Sequence, residues 1–227
     1  YTWTILNEIL GEKIYIEYDM FGADYTVNAD NGLHFHLARV PHSHDIRPSD
    51  TKYPYYYVFR DSMVLPKMTE TNVTFNGDDV QCESVSFPDL QNARDGFLSN
   101  PYSGLSSIDC SNLQVTGNNF LNKIPGKLTK INFPSLKEAG QDSFCDGITR
   151  CTEINLPALE KVERESFRSP EMRTMATDTI NLPVAKHIGP NAFYNLAGLK
   201  HVKLPAAEYI WDRCFENCRD IETIDAD

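Results

Sequence analysis

From about residue 60 onward, apolar positions return in a fixed order, and a proline marks the beat. Aligning the chain on Leu65-Pro66, Phe87-Pro88, Phe133-Pro134, Leu156-Pro157, Leu182-Pro183 and Leu204-Pro205 gives intervals of 22, 46, 23, 26 and 22 residues between successive prolines. The 46-residue interval is two periods of 23, with Cys110-Ser111 where the missing pair belongs. Three positions before each proline stand Met63, Val85, Ile108, Ile131, Ile154, Ile180, Val202 and Ile224. Six before it are Cys82, Leu105, Leu128, Cys151 and Leu199. Two after it come Met68, Leu90, Leu113, Leu136, Leu159, Ala185 and Ala207, and nine or ten after it Phe75, Phe97, Phe120, Phe144, Phe167, Phe193 and Phe215. Such self-similarity at a fixed period marks a repeat architecture.

Each unit ends its first segment in period-two alternation, which predicts a short strand with one buried face. Proline then removes an amide donor and turns the chain. The later Leu and Phe return to the same core. A lone unit buries too few apolar side chains to offset the entropy of ordering its backbone, so units must stack and share a continuous core. Seven units and the start of an eighth, near Ile221, fit residues 59–227. The predicted core columns run through Ile131, Phe133, Leu136, Phe144, Ile154, Leu156, Leu159, Phe167, Ile180, Leu182, Phe193, Val202, Leu204 and Phe215.

These units resemble the BspA-like leucine-rich repeats, which read approximately Leu-x-x-Ile-x-Leu-Pro, then Ile, then Ala-Phe. Leu199 to Phe215 and Ile180 to Phe193, the latter with Ala192-Phe193, carry the resemblance most closely. It implies an α/β-type leucine-rich repeat solenoid of mostly short parallel strands with little helix. It also implies a secreted or surface-anchored protein, often of a host-associated microbe, acting in adhesion or recognition with no shared catalytic residues. Two departures stand out. Ser111 replaces a proline, and the unit around Arg168 to Thr177 carries about three extra residues including Pro170, which predict a bulging loop.

Residues 1–58 lack the period. Glu12–Tyr18, Tyr25–Ala29, Leu33–Val40 and Tyr55–Phe59 read as short strands, with Asn31-Gly32 as a hairpin turn. The expectation is a small β-rich N-terminal cap over the first coil, since a terminal coil otherwise exposes its core; an independent small domain is the alternative. The chain opens on Tyr1 and not Met, as it does when a leader has been removed or a boundary lies within a longer sequence. It finishes part-way through a unit, from which weak self-association is expected.

Charge changes the picture of partners. Lys and Arg number 21 against 32 acidic residues, a net charge of -11. That balance repels polyanions, so nucleic acid and anionic membranes are poor partners. No run of apolar residues is long enough for a transmembrane helix.

Candidate chemistry is sparse. Cys82, Cys110, Cys151, Cys214 and Cys218 occupy core columns and read as small hydrophobes; Cys145 is the least constrained, and disulfides remain an alternative in a secreted chain. His34, His36, His42 and His44 fall close together and supply enough imidazoles for a zinc-like site, although no standard zinc spacing appears. An exposed polar strand face is the competing reading. Nucleophile elbows, phosphate loops and dinucleotide fingerprints are absent. Asn72-Val73-Thr74 forms a glycosylation sequon, relevant only in a eukaryotic secretory host.

Between the buried columns lie polar ones, including Asn132, Asn155 and Asn181. Tyr53, Tyr55 and Tyr57 sit in the richest aromatic segment, where exposed tyrosines suit a binding hot spot. These residues predict a non-enzymatic recognition or adhesion protein with no cofactor, binding an extracellular protein. A glycan-binding module for nutrient capture is the alternative, and a metal-dependent hydrolase using the histidines is a third.

Overall fold

The structure, a computed structural model, describes residues 25–28, 34–41, 55–66, 68–71, 74–77 and 80–226. Glu12–Tyr18, Asn31-Gly32, His42, His44, Tyr53 and the sequon asparagine Asn72 lie outside them.

The chain is a solenoid whose coils lay parallel strands in register. On one face, Val80–Ser86 pairs with Ser107–Asp109, Lys130–Asn132 with Glu153–Asn155, and His201–Lys203 with Thr179–Asn181 on one side and Thr223–Asp225 on the other. Ile154 lies opposite Ile131, and Val202 lies between Ile180 and Ile224. The inward β-branched column therefore stacks on itself, coil upon coil. A second face is built from two-residue strands: Glu70–Thr71, Asn92–Ala93, Val115–Thr116, Glu138–Ala139, Lys161–Val162, His187–Ile188 and Tyr209–Ile210. In all but the last, one side chain is exposed and the next is buried, as pleating requires, whereas Tyr209 and Ile210 are both exposed. The one helical element among the described residues is a single 3-10 turn, Ile148–Arg150.

The core is one column of side chains between the two faces. Ile131, Phe133, Leu136, Phe144, Leu156, Leu159, Phe167, Ile180, Leu182, Phe193, Val202 and Leu204 are buried, whereas Ile154 and Phe215 are half-buried. The recurring phenylalanines form a ladder. Phe144 and Phe167 stack with centroids 5.3 Å apart, Phe167 and Phe193 at 5.4 Å, and Phe193 and Phe215 at 5.3 Å. Their planes lie within 10° of parallel, an offset-stacked arrangement that aromatic quadrupoles favour.

Glycine sets the close approach of coils on the second face. A Cβ on Gly140 would stand 2.5 Å from Asn118 N, and one on Gly189 2.7 Å from Arg164 N. Both obstacles are backbone of the preceding coil, so no side-chain adjustment relieves them.

At the N-terminal end, Tyr55–Val64 joins two kinds of sheet. It pairs antiparallel with His34–Pro41, itself antiparallel to Tyr25–Asn28, and parallel with Val80–Ser86 on its other edge. One continuous five-stranded sheet thus runs from the non-repetitive segment into the first coils. Bulges between Phe35 and His36 and between Asp61 and Ser62 mark the transition.

The insertion near Arg168 is not a free loop. Pro170 to Thr174 are exposed, but Arg173–Thr174 pairs in parallel with Leu196–Ala197, and Met175 donates its amide to Ala197 O at 2.7 Å and buries its side chain. The extra residues satisfy their backbone against the next coil. The first face is divided here, with Glu153–Asn155 and Thr179–Asn181 in separate sheets, as it also is between Ser107–Asp109 and Lys130–Asn132, where no residues are inserted.

Candidate interaction surface

Outward side chains of the first face are aligned by strand register, so neighbours are one coil apart. Asn155 Nδ2 donates to Asn132 Oδ1 at 2.7 Å, Ser86 Oγ to Asp109 Oδ2 at 2.9 Å, and Lys130 Nζ lies 3.0 Å from Glu153 Oε2. His201 Nδ1 and Thr223 Oγ1 lie 3.0 Å apart. The result is a set of short polar ladders. Asn181 is exposed in the same column, in the next sheet of this face. Tyr55 and Tyr57 belong to the strand shared with the N-terminal sheet.

The second face carries an outward column of Glu70, Asn92, Val115, Glu138, Lys161, His187 and Tyr209. At its end the rings of His187 and Tyr209 lie parallel, 5.3 Å apart. Tyr209 is 59% exposed and Trp211 60%. These aromatics escaped the sequence reading, which followed the long-strand face, although Tyr209 and Trp211 flank Ile210 in a visible alternation.

A third surface follows the turns. In successive coils Asn119, Asp142, Glu165, Asn191 and Arg213 hold left-handed backbone, with φ between 55° and 61°. Three residues after each come Asn122, Cys145, Arg168, Tyr194 and Glu216. The two columns line shallow clefts on this flank. One, of about 230 Å³, is bordered by Glu165, Arg168, Asn191, Tyr194, Arg213 and Glu216. Another, of about 390 Å³, is bordered by residues of the earlier coils such as Thr74, Asp95, Ser99 and Asn119. Between them the flank is filled: Asn122 Nδ2 donates to Asp142 O at 3.0 Å, and Cys145 Sγ to the same carbonyl at 3.0 Å. Cys145, expected to be the least constrained cysteine, is in fact buried and fixed by this network.

All six cysteines are free thiols. Burial pushes Cys145, Cys151 and Cys218 up to about 11 and Cys82 and Cys214 to about 12, and it raises Cys110 as well. Protonated thiols in an apolar column are poor nucleophiles and poor metal ligands. At the other end of the chain, His34 and His36 are half-buried, and His36 Nδ1 lies 2.5 Å from Asp61 Oδ2 across the bulge. Among the described residues no three His, Cys, Asp or Glu side chains gather as a metal site would require. No helix there is long and apolar enough to cross a membrane.

Coils of about 23 residues, parallel in-register strands and a shared phenylalanine ladder define a leucine-rich-repeat solenoid. The family model of the BspA type leucine rich repeat region matches in six copies, over residues 71–173 and 172–227, and the chain belongs to that family. No curated protein and no solved structure matches the chain. Repeat scaffolds of this type serve surface binding and protein interaction.

Proposed function

We propose that the chain is a non-enzymatic recognition or adhesion protein, secreted or held at a cell surface, that presents its repeats to an extracellular protein. The observation that carries this reading is the outward ladder of the first face, where Asn132–Asn155, Lys130–Glu153 and Ser86–Asp109 contacts fix exposed side chains coil by coil. A surface ordered before binding loses less side-chain entropy on association. Its extent suits a macromolecule better than a small molecule. Tyr55 and Tyr57, in the strand that leads into this face, and Tyr53 shortly before them in sequence are the aromatic anchors assigned in this reading, of the kind interfaces favour. Residues 1–58 act in this reading as the cap that holds the first coil.

The test is fractionation of the native host together with a screen of the immobilised chain against extracellular proteins. Recovery at the surface or in the medium, with a saturable protein partner, supports the reading. Recovery in the cytoplasm alone removes it.

A further inference from the structure

We propose that the turn-flank cleft of about 230 Å³ is a binding site for one unit of a neutral, hydroxyl-rich ligand, a hexose or pentose within a glycan chain. This site is separate from the strand faces and does not depend on the protein partner proposed for them.

The cleft is assembled from one pair of side chains in each of three successive coils: Glu165 with Arg168, Asn191 with Tyr194, and Arg213 with Glu216. The fold does not demand these residue types. The first member of each pair has left-handed backbone, with φ of 59°, 55° and 55°, a conformation that suits Gly or Asn. Asn191 meets that preference, and Glu165 and Arg213 depart from it. The turn backbone meanwhile is already satisfied, with Glu165 N donating to Pro190 O at 3.1 Å and Glu216 N to Arg213 O at 3.1 Å. Side chains alone remain to meet a ligand.

Their chemistry narrows its class. Two guanidinium groups face two carboxylates, with Arg168 Nε 2.7 Å from Glu165 Oε2 and Arg213 Nε 3.7 Å from Glu216 Oε2. Arg164 Nη2 also holds Glu165, at 2.7 Å, and Asp142 Oδ1 lies 3.8 Å from Arg168 Nε, so three guanidinium groups meet three carboxylates. Paired in this way, the charges cancel and give no selective pull on an ion. The chain's net charge of -11 further opposes an anionic polymer. An apolar ligand finds only one aromatic wall, Tyr194. What the cleft offers is donors and acceptors side by side, on planar, pre-positioned groups. Vicinal sugar hydroxyls, each both donor and acceptor, match that pattern. The cleft is smaller than the usual drug-sized pocket, which fits a single unit of an oligomer that continues along the flank.

The experiment is titration calorimetry of the whole chain with cellotetraose, maltotetraose, mannotetraose and xylotetraose, with dextran sulfate as the anionic comparison. Tyr194→Phe and Arg213→Gln are measured in parallel, with thermal melts to verify folding. Arg213 is well exposed and Tyr194→Phe removes a single hydroxyl, so both variants should melt as the parent does. The expected result is saturable binding of at least one neutral tetrasaccharide, weakened about tenfold or more by each substitution, which is about 1.4 kcal/mol. Failure of all four tetrasaccharides to bind overturns the proposal. So does binding that both variants retain in full, or binding of dextran sulfate alone.

Discussion

Phe133 meets Phe120 edge to face, with centroids 5.0 Å apart and planes at 67°, and where it does so the phenylalanine ladder turns. Phe120 and Phe144, which flank it, stand at 73° to each other. The same happens at Phe87, between Phe75 and Phe97 at 89°. Where the residue before the proline position is Cys110, Leu156, Leu182 or Leu204, the flanking rings are parallel within 10°. A third ring inserted from the strand side offers its own face and edge, and the ladder rotates to meet them. Phe133→Leu should therefore bring Phe120 and Phe144 toward parallel stacking at a cost of about 1–2 kcal/mol, since little volume is lost. A crystal structure of the variant, with a denaturant melt, checks both parts.

Deleting a rung is a larger insult. Phe167→Ala removes a ring that stacks on Phe144 and on Phe193 and leaves a cavity that rigid coils on both sides cannot close. The expected loss is about 3–5 kcal/mol in chemical denaturation. A loss below about 1 kcal/mol would mean that the ladder is not the shared core.

The close coil contact at Gly140 predicts a different kind of damage. A methyl group there meets the backbone of Asn118 and Gly117, so Gly140→Ala must push two coils apart. Destabilisation of about 1–3 kcal/mol is expected, as for overpacking, despite the better intrinsic propensity of alanine. Gly126, whose Cβ would meet nothing, provides the control: Gly126→Ala should be near neutral.

Much of this architecture is legible in the sequence, and the exceptions have physical reasons. The Ile and Phe columns are visible because their positions demand large apolar side chains in every coil. The second face is not, because its inward column accepts Thr71, Ala93, Thr116, Ala139, Val162 and Ile188, a mixture without a hydrophobic signature. Gly117, Gly140 and Gly189 share their register position with Glu163, so spacing alone does not mark it as a place for glycine. The cleft residues were hidden for the opposite reason. Their column requires a backbone conformation and no particular side chain, so Asn119, Asp142, Glu165, Asn191 and Arg213 share nothing but position. The insertion at Arg168 was visible as extra length, but its pairing with Leu196–Ala197 depends on where the next coil passes.

Two amides, one buried and one half-buried, tie the insertion to the coils after it. Asn195 Nδ2 donates to Ser169 O at 3.1 Å, and its Oδ1 accepts from Asn217 Nδ2 at 2.9 Å. Asn195→Ala strands both partners and also places alanine at φ 64°. A loss of about 2–3 kcal/mol is expected. Amide exchange should quicken first around Ser169 and Asn217; uniform exchange across the chain would count against a local tie.

Alkaline pH should weaken the fold through the thiols. Burial raises Cys151 from the ordinary value of 9.0 to about 11 and Cys214 to about 12, so folded thiols keep protons that unfolded ones release. Their contribution is complete below about pH 9 and is lost as pH rises toward 11 and 12. The melting temperature should fall over that window, and less steeply in Cys151→Ala measured against its own value at neutral pH.

The central claim is recognition through the outward strand face. Binding of the immobilised chain to a panel of extracellular proteins, with and without chelator, tests it directly when Asn132→Arg and Asn155→Arg are run beside the parent. The account predicts a saturable partner, indifferent to chelator, whose affinity drops in both variants while their melting temperatures hold. Silence across the panel, or a partner that keeps its affinity for both variants, would contradict it; loss of binding in chelator would move the site to the histidines around His34 and His36.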